Sequence, residues 1–261
     1  MRFFRLAFIM IFLTLHISFT YAQQAFTFGS GISMLFQNSK DLKLFRNTYN
    51  YINMDNTSTP LQGFNSPMGI RYEVGYRSVN VLSVAFLVGM QSYTSKDFAQ
   101  YGRGEARDLS YKLKSTFIEI EAGRRVHKRF FFNGLINFYL NRKSKIESVY
   151  TGRNLEASKK SLTGTYRSDP HFSMDIGLAF GAYKEPLFFI LKVYYPIYTG
   201  GINDALFDSS DEKDAFNYRT RVFPKDYIDY YYGGPIRGVR SNIDGLKISF
   251  TVCFAIPIKL R

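Results

Sequence analysis

His171 and Ser173 stand two positions apart in the chain and could form a catalytic pair. In an extended strand, residues i and i+2 share a face, and an imidazole beside a serine hydroxyl can activate that hydroxyl as a nucleophile. Such a pair works with a carboxylate that orients the imidazole, but the nearest downstream glutamate, Glu185, lies in a turn beyond the far end of the predicted strand. Parity also places His171 and Ser173 on the same face as Asp175, away from a lipid substrate. Chance spacing is the simpler explanation, and we expect no catalysis from this pair.

An acidic cluster and a cysteine are the other candidate sites. Asp208, Asp211, Glu212 and Asp214 carry carboxylates that could bind Ca²⁺, but their spacing does not match an EF-hand, and a solvated acidic loop is the simpler interpretation. Cys253 is the only cysteine, which excludes a disulfide scaffold and a multi-cysteine zinc site. The chain has three histidines, too few to favour a His-rich metal centre. We therefore expect no cofactor.

Residues 1–22 have the pattern of a secretory signal peptide. Arg2 and Arg5 supply a positive region, an apolar run follows over residues 6–15, and small residues mark a cleavage site. A buried N-terminal helix is the alternative. The chain is basic, with 34 Lys and Arg against 21 Asp and Glu, but an exported protein does not normally meet chromosomal nucleic acid, so we expect no nucleic-acid partner. Residues 23–261 are predicted to form a single domain.

Residues 23–261 contain runs in which apolar side chains alternate with polar or small ones. The clearest runs are 68–77, 82–91, 172–181 and 246–256, and the weaker ones are 26–37, 114–125, 130–141 and 187–195. Each run has the length, about ten to twelve residues, that a tilted strand needs to cross a bilayer. A period of two over such lengths predicts eight β-strands.

The polar faces of these runs are rich in glycine, alanine and serine, and they carry charges of both signs. A soluble β-sandwich gives no reason for glycine on a wet face, whereas the narrow lumen of a small barrel requires small residues. We therefore predict that these faces point into a lumen, where the charges pair with one another. The predicted network comprises Arg71, Glu73, Arg77, Glu119, Glu121, Arg125, Asp175, Lys192 and Lys247.

The connections between the runs alternate in length. Three are turns of three or four residues, and the other four are loops over roughly 38–65, 93–113, 142–170 and 197–243. Short turns at one end and long loops at the other are typical of outer-membrane barrels. The sequence thus predicts an all-β fold, an eight-stranded antiparallel transmembrane up-and-down β-barrel with short periplasmic turns and long extracellular loops. A soluble secreted β domain is the alternative.

With its signal peptide, its alternating strands and a last strand over 245–257, the chain resembles the small outer-membrane β-barrel proteins of Gram-negative bacteria, which include OmpX/OmpA-like and PorT-like barrels. The resemblance implies a non-enzymatic barrel in the outer membrane with a binding or structural role through its extracellular loops. The PorT-like members imply an alternative, an accessory barrel subunit of a secretion or envelope-assembly machine. His171 and Ser173 are similar to the His-x-Ser pair of PagL-type lipid A deacylases, although Met174 stands where that family has Asn. A lipid A-modifying enzyme is thus a third hypothesis, and a diffusive channel is a fourth.

The predicted loops hold the residues that would contact partners. The loop over 142–170 is basic, so it would either meet the phosphates of lipopolysaccharide or be simply solvated. The loop over 197–243 is rich in tyrosine, which suits recognition of a protein or glycan. The expected partners are outer-membrane lipid and lipopolysaccharide, with an envelope or secretion protein as a further candidate. The residues assigned to this surface are Lys159, Lys160, Arg167, Tyr227, Tyr230, Tyr231 and Tyr232.

Overall fold

A computed structural model of the protein describes residues 23–37, 39–64, 66–102, 104–152, 163–168, 170–199, 207–208 and 245–258. The predicted signal peptide, residues 1–22, lies outside the described residues, as does most of the tyrosine-rich loop.

The described chain folds into one antiparallel sheet with a single helix. Its elements are β1 (Gln23–Gln37), α1 (Lys40–Ile52), β2 (Thr57–Thr59), β3 (Met68–Val79), β4 (Leu82–Tyr101), β5 (Ala106–His127), β6 (Phe130–Thr151), β7 (Gly164–Arg167), β8 (His171–Lys184), β9 (Leu187–Thr199), β10 (Phe207–Asp208) and β11 (Gly245–Pro257). Eight strands form a ring in the order β1, β3, β4, β5, β6, β8, β9, β11, which the β11–β1 pairing closes. The predicted antiparallel ring of eight strands is confirmed. Three short strands, β2, β7 and β10, and the helix were not predicted.

The two ends of the ring differ, as the connection lengths predicted. Short turns join β3 to β4, β5 to β6 and β8 to β9, and all three lie at one end, which we call the turn end. The opposite end, the loop end, carries the long connections. The register of β1 against β11 runs without a break from Ala25 opposite Pro257 to Gln37 opposite Gly245.

Two predicted loops contain long strand segments in the structure. β4 continues to Tyr101 and β5 begins at Ala106, so most of the predicted loop 93–113 is a long hairpin. β6 continues to Thr151, through the first part of the predicted loop 142–170. The reason is a change of polarity: beyond Tyr93 most outward side chains are polar, whereas large side chains such as Leu109, Tyr111 and Ile146 are buried on the inward face. These three strands rise above the rest of the ring as a wall.

The helix α1 fills the loop end of the ring. Ser39 caps it, because the Ser39 hydroxyl accepts a hydrogen bond from the Leu42 backbone N–H at 3.2 Å. Leu42, Phe45 and Tyr49 follow a spacing of three and four residues, which places them on one helix face, and all three are buried against the inward side of the wall. Within the described part of the chain, no helix is both long and apolar enough to cross a membrane.

Arg107, in the wall, forms hydrogen bonds that hold helix α1 in position. Arg107 of β5 is buried, and its Nε donates to the Tyr49 hydroxyl at 3.1 Å while its Nη1 donates to the Ser148 hydroxyl at 2.8 Å. The guanidinium therefore links α1 to β5 and β6 through hydrogen bonds. The predicted loop over 38–65 therefore contains a helix that packs in the interior of the ring.

Buried side chains fill the inside of the ring in three layers. An apolar layer near the turn end includes Phe131, Phe188 and Ile190. Ionised side chains follow in the middle, and a second apolar layer, built around α1, occupies the loop end. Glycine on the inner face of a ring strand leaves room for a large side chain: a Cβ on Gly181 of β8 would lie 2.0 Å from the Phe131 ring.

We expect Gly181→Ala to lower the free energy of unfolding by about 1–3 kcal/mol, as overpacking does in other cores. Phe131 cannot move aside cheaply, because the Phe188 ring packs edge-on against it at 6.1 Å between centroids. Gly134 is the matched control, since it faces outward and the nearest atom to its Cβ would be 3.8 Å away. Urea titration of both folded variants measures the difference, and equal midpoints would contradict a tight contact between Gly181 and Phe131.

Candidate functional site

Six ionised side chains meet in the middle layer of the ring. Alternation along each strand places them on the inner face, and each residue is at most 4% exposed. They are Arg71, Glu73 and Arg77 of β3, Glu119 and Glu121 of β5, and Lys192 of β9. Three carboxylates thus face three cations, and the group, which we call the charge network, has no formal net charge.

Lys192 is the centre of the charge network. Its Nζ lies 2.6 Å from Glu119 Oε1, 2.9 Å from Glu73 Oε2 and 3.1 Å from Glu121 Oε1. One ammonium therefore holds together carboxylates from two strands that are not neighbours of β9 in the ring. Buried charges are stable only when they are paired and hydrogen-bonded in this way.

The two arginines complete the pairing. Arg71 donates from Nε to Glu73 at 2.8 Å and from Nη2 to Glu119 at 2.9 Å, and its guanidinium lies 3.7 Å from the centre of the Phe117 ring. Arg77 donates from both terminal nitrogens to Glu121, at 2.7 and 2.8 Å. The bidentate geometry and the aromatic contact both favour Arg over Lys at these positions.

Lys247 and Asp175 form a separate buried pair. Lys247 Nζ donates to the two Asp175 oxygens at 2.9 and 2.7 Å. Arg125 is a correction to the predicted network: it is exposed at the turn end and takes no inward position. The pairing of β5 with β6 shifts register between Arg125 and His127, where the strand leaves the ring, so the alternation no longer sets the direction of its side chain.

The structure places Ser173 in the buried interior, next to an arginine. Ser173 is fully buried, and its hydroxyl accepts a hydrogen bond from Arg142 Nη1 at 3.2 Å. A guanidinium carries no lone pair to take the proton of a nucleophile. Asp175, which was predicted to share a face with His171 and Ser173, binds Lys247 with both oxygens. Arg142 itself was predicted in a loop and is buried on β6.

Of the predicted loop surface, the structure describes only Arg167, which is exposed on β7. Lys159, Lys160, Tyr227, Tyr230, Tyr231 and Tyr232 lie outside the described residues. Of the acidic cluster, Asp208 is in β10, and the other members are likewise outside. Among the residues that the structure describes, no group of three or more His, Cys, Asp or Glu is placed to hold a metal ion.

The structure also brings together cations from two predicted loops and from the start of the predicted strand over 114–125. On the outward face of the wall, Lys114 lies opposite Lys143, and in the next row Lys112 lies opposite Lys145, which lies opposite Arg167. We call these five residues the basic strip. The signal was present in the sequence as lysines at every second position, 112 and 114 and again 143 and 145, which is the spacing of one strand face.

One carboxylate touches the basic strip in the described part of the chain. Lys145 Nζ donates to Glu147, which lies one outward position further from the turn end. This hydrogen bond holds the pKa of Glu147 below its usual value, and the charges of Lys112 and Arg167 lower it further. The five cations of the strip and this one carboxylate together carry a formal net charge of +4.

Of three comparisons of the chain with known proteins, only that with solved structures gives a match. No protein-family model matches it, and no curated protein matches it significantly. Among solved structures, it is similar to the crystal structure of the outer membrane protease OmpT from Escherichia coli, with 10% sequence identity and a TM-score of 0.41 over 90% of this chain and 96% of that chain. At that identity and TM-score, the similarity assigns neither an activity nor a site to this chain.

Proposed function

We propose that the chain is an integral outer-membrane β-barrel protein with a closed interior and a non-enzymatic, binding or structural role on its extracellular side. In this proposal, residues 1–22 are the cleaved export signal, and the turn end faces the periplasm. One observation carries it: the distribution of polarity is the reverse of that in a soluble protein, because ionised side chains are buried and large apolar ones are exposed.

The exposed apolar side chains form a continuous girdle around the ring. Every ring strand contributes to it, for example through Phe28, Ile70, Phe86, Ile120 and Phe254, which are 47–53% exposed. We call the outward residues of the ring strands at this level the apolar belt. An apolar surface on this scale far exceeds the patches that soluble monomers leave in water.

The height of the apolar belt matches a bilayer. On β6 it runs from Phe130 to Leu140, about 33 Å along the strand, which at the usual tilt of a membrane barrel is about 25 Å across the membrane. Aromatic pairs lie at both edges: Phe130 stacks on Phe180 at the turn end, and Phe172 packs against Tyr198 near the loop end. Aromatic girdles at both interfaces are a feature of such barrels.

Reconstitution tests the proposal. The mature chain, inserted into planar bilayers, is expected to give no conductance steps, because the charge network and the two apolar layers fill the ring. An unheated sample on an SDS gel is expected to migrate faster than a boiled one. Regular conductance steps would show an open interior and favour the channel hypothesis. A chain that shows no heat shift and does not enter vesicles would overturn the membrane assignment itself.

An accessory subunit of a secretion or envelope-assembly machine is the second candidate. The wall of β4, β5 and β6 supports it, because a sheet that rises beyond the apolar belt offers a partner a rigid outward surface. A second protein that co-purifies in fixed ratio with the detergent-extracted barrel would favour this role. A barrel that is extracted with lipid only would favour a stand-alone surface protein.

A further inference from the structure

We propose that the basic strip binds the phosphate groups of a phosphorylated glycolipid of the outer leaflet, whose acyl chains lie along the apolar belt. This inference rests on the membrane orientation proposed above. It adds a specific site and a class of ligand to that proposal.

The first argument is the pairing of like charges. In an antiparallel sheet, directly opposite side chains have Cβ atoms about 4.5–5.5 Å apart, and like charges at that distance are destabilising. The strip contains three such oppositions: Lys114 with Lys143, Lys112 with Lys145, and Lys145 with Arg167. A phosphate between the rows would convert this repulsion into charge-assisted hydrogen bonds.

The second argument is the composition of the two rows. The row of Lys114 and Lys143 continues onto β4 at Ser92, and the row of Lys112 and Lys145 continues there at Thr94. The neighbours on β4 are therefore hydroxyl side chains, which can donate to an anion without opposing it. The carboxylate in contact with the strip, that of Glu147, lies on the side away from the apolar belt.

The third argument is position. The last outward apolar pair on β5 and β6 below the strip is Ile118 opposite Phe138, and Thr116 separates Ile118 from Lys114 along β5. The first lysines thus begin about 13 Å of strand beyond the last isoleucine. Flexible lysine stems can bend back toward the membrane edge while their ammonium groups stay in water, which brings them to the level of lipid phosphates.

The fourth argument is continuity with a surface for acyl chains. Below the Ile118–Phe138 pair, the same two strands present Ile120 opposite Ile136 in the middle of the apolar belt, and these residues are 47% and 42% exposed. A ligand with phosphates and acyl chains would match both surfaces at once, whereas a free anion or a soluble acidic protein would use the strip alone. The occupant is therefore a lipid.

The test compares two variants that lose the same charge at opposite ends of the barrel. The strip variant carries Lys→Gln at 112, 114, 143 and 145. The matched control carries Gln in place of Arg124, Arg125, Lys128 and Arg129, which are exposed at the turn end. Each is purified as the mature chain in an uncharged detergent, and the binding of diphosphorylated lipid A is measured by native mass spectrometry. Dephosphorylated lipid A and inorganic phosphate are the comparison probes.

We expect the strip variant to bind diphosphorylated lipid A at least tenfold more weakly than the parent, since each basic residue near a charged lipid surface contributes substantially to affinity. The control should keep the affinity of the parent, and dephosphorylated lipid A should bind the parent as weakly as the phosphorylated form binds the strip variant. Equal affinity in the parent and strip variant, or an equal loss in the control, would overturn the proposal. Full displacement by millimolar inorganic phosphate would overturn the lipid assignment.

A heat-shift gel on the same samples separates failure of this inference from failure of the barrel proposal. A parent that shows no heat shift refutes the barrel proposal. A parent that shows the heat shift but does not bind diphosphorylated lipid A refutes only the proposed lipid site on the basic strip. If the fourfold variant does not fold, the double variant Lys114→Gln, Lys143→Gln removes the row nearest the apolar belt. It should lose at least threefold in affinity, and no loss would count against the proposal in the same way.

Discussion

Lys192→Met is expected to lower the free energy of unfolding by about 3–5 kcal/mol, the usual effect of removing one partner from a buried ionic group. The ammonium of Lys192 touches three carboxylates, so its loss leaves three buried negative charges with only Arg71 and Arg77. Methionine keeps most of the side-chain volume, which restricts the change to charge. The measurement is a urea titration in detergent micelles, with the fraction of folded barrel read from the heat shift on a gel.

The controls separate charge from packing. Lys184→Met removes an exposed lysine at the turn end of β8 and should leave the midpoint where it is in the parent. Adding Glu119→Gln to Lys192→Met restores the balance of charge inside, so the double variant should be more stable than Lys192→Met alone. A Lys192→Met barrel as stable as the parent would refute a stabilising role for Lys192 in the charge network.

Ile136→Arg is expected to cost about 2–4 kcal/mol in a lipid bilayer, the penalty for a basic residue at the midplane of a membrane barrel. Ile136 is outward on β6, 42% exposed, and lies about halfway between Phe130 and Leu140. The reason for the cost is the removal of a charge from water into the hydrocarbon region. Urea titration of the variant in phosphatidylcholine vesicles measures it.

The expected loss of stability depends on how deep in the membrane the arginine is placed. Such a dependence on depth is expected only if the apolar belt lies in a bilayer. Asn141→Arg, on the same strand, places the same charge at an exposed position just beyond Leu140 and should cost less than about 1 kcal/mol. Two variants of equal stability would show that the apolar belt meets something other than lipid. An Ile136→Arg barrel that folds as well in vesicles as the parent would lead to the same conclusion.

The inward positions of the charge network could be predicted because a strand face repeats every second residue, so the direction of Arg71, Glu73 and Lys192 follows from parity alone. The ion pairs that these side chains form could not be predicted in the same way. Lys192 reaches Glu119 across the lumen, from a strand that does not pair with β5, and such a contact depends on the stagger of the whole ring. Arg125 shows where parity fails, since a register shift follows it at the edge of the ring.

The wall and the basic strip were missed for a common reason: the strands were predicted from runs with an apolar outer face. Beyond Tyr93 most outward side chains are polar and several large apolar ones point inward, so these segments do not show the apolar outer face by which the strands were predicted. Leu42, Phe45 and Tyr49 had the spacing of a helix inside a segment predicted as a loop. Lys114 and Lys143 are neighbours only because the β5–β6 hairpin extends past the apolar belt, which a period of two does not reveal.

The balanced interior also has a consequence for how such a chain can diverge. Around the outside of the ring, one apolar side chain can replace another with little effect, so those positions can drift freely. Within the charge network, each charge is paired with specific opposite charges, so a change survives only with a compensating one. Distant relatives of this protein would therefore share little overall identity but would retain the paired spacing of Arg71 and Glu73, and of Glu119 and Glu121, together with a lysine at the position of Lys192.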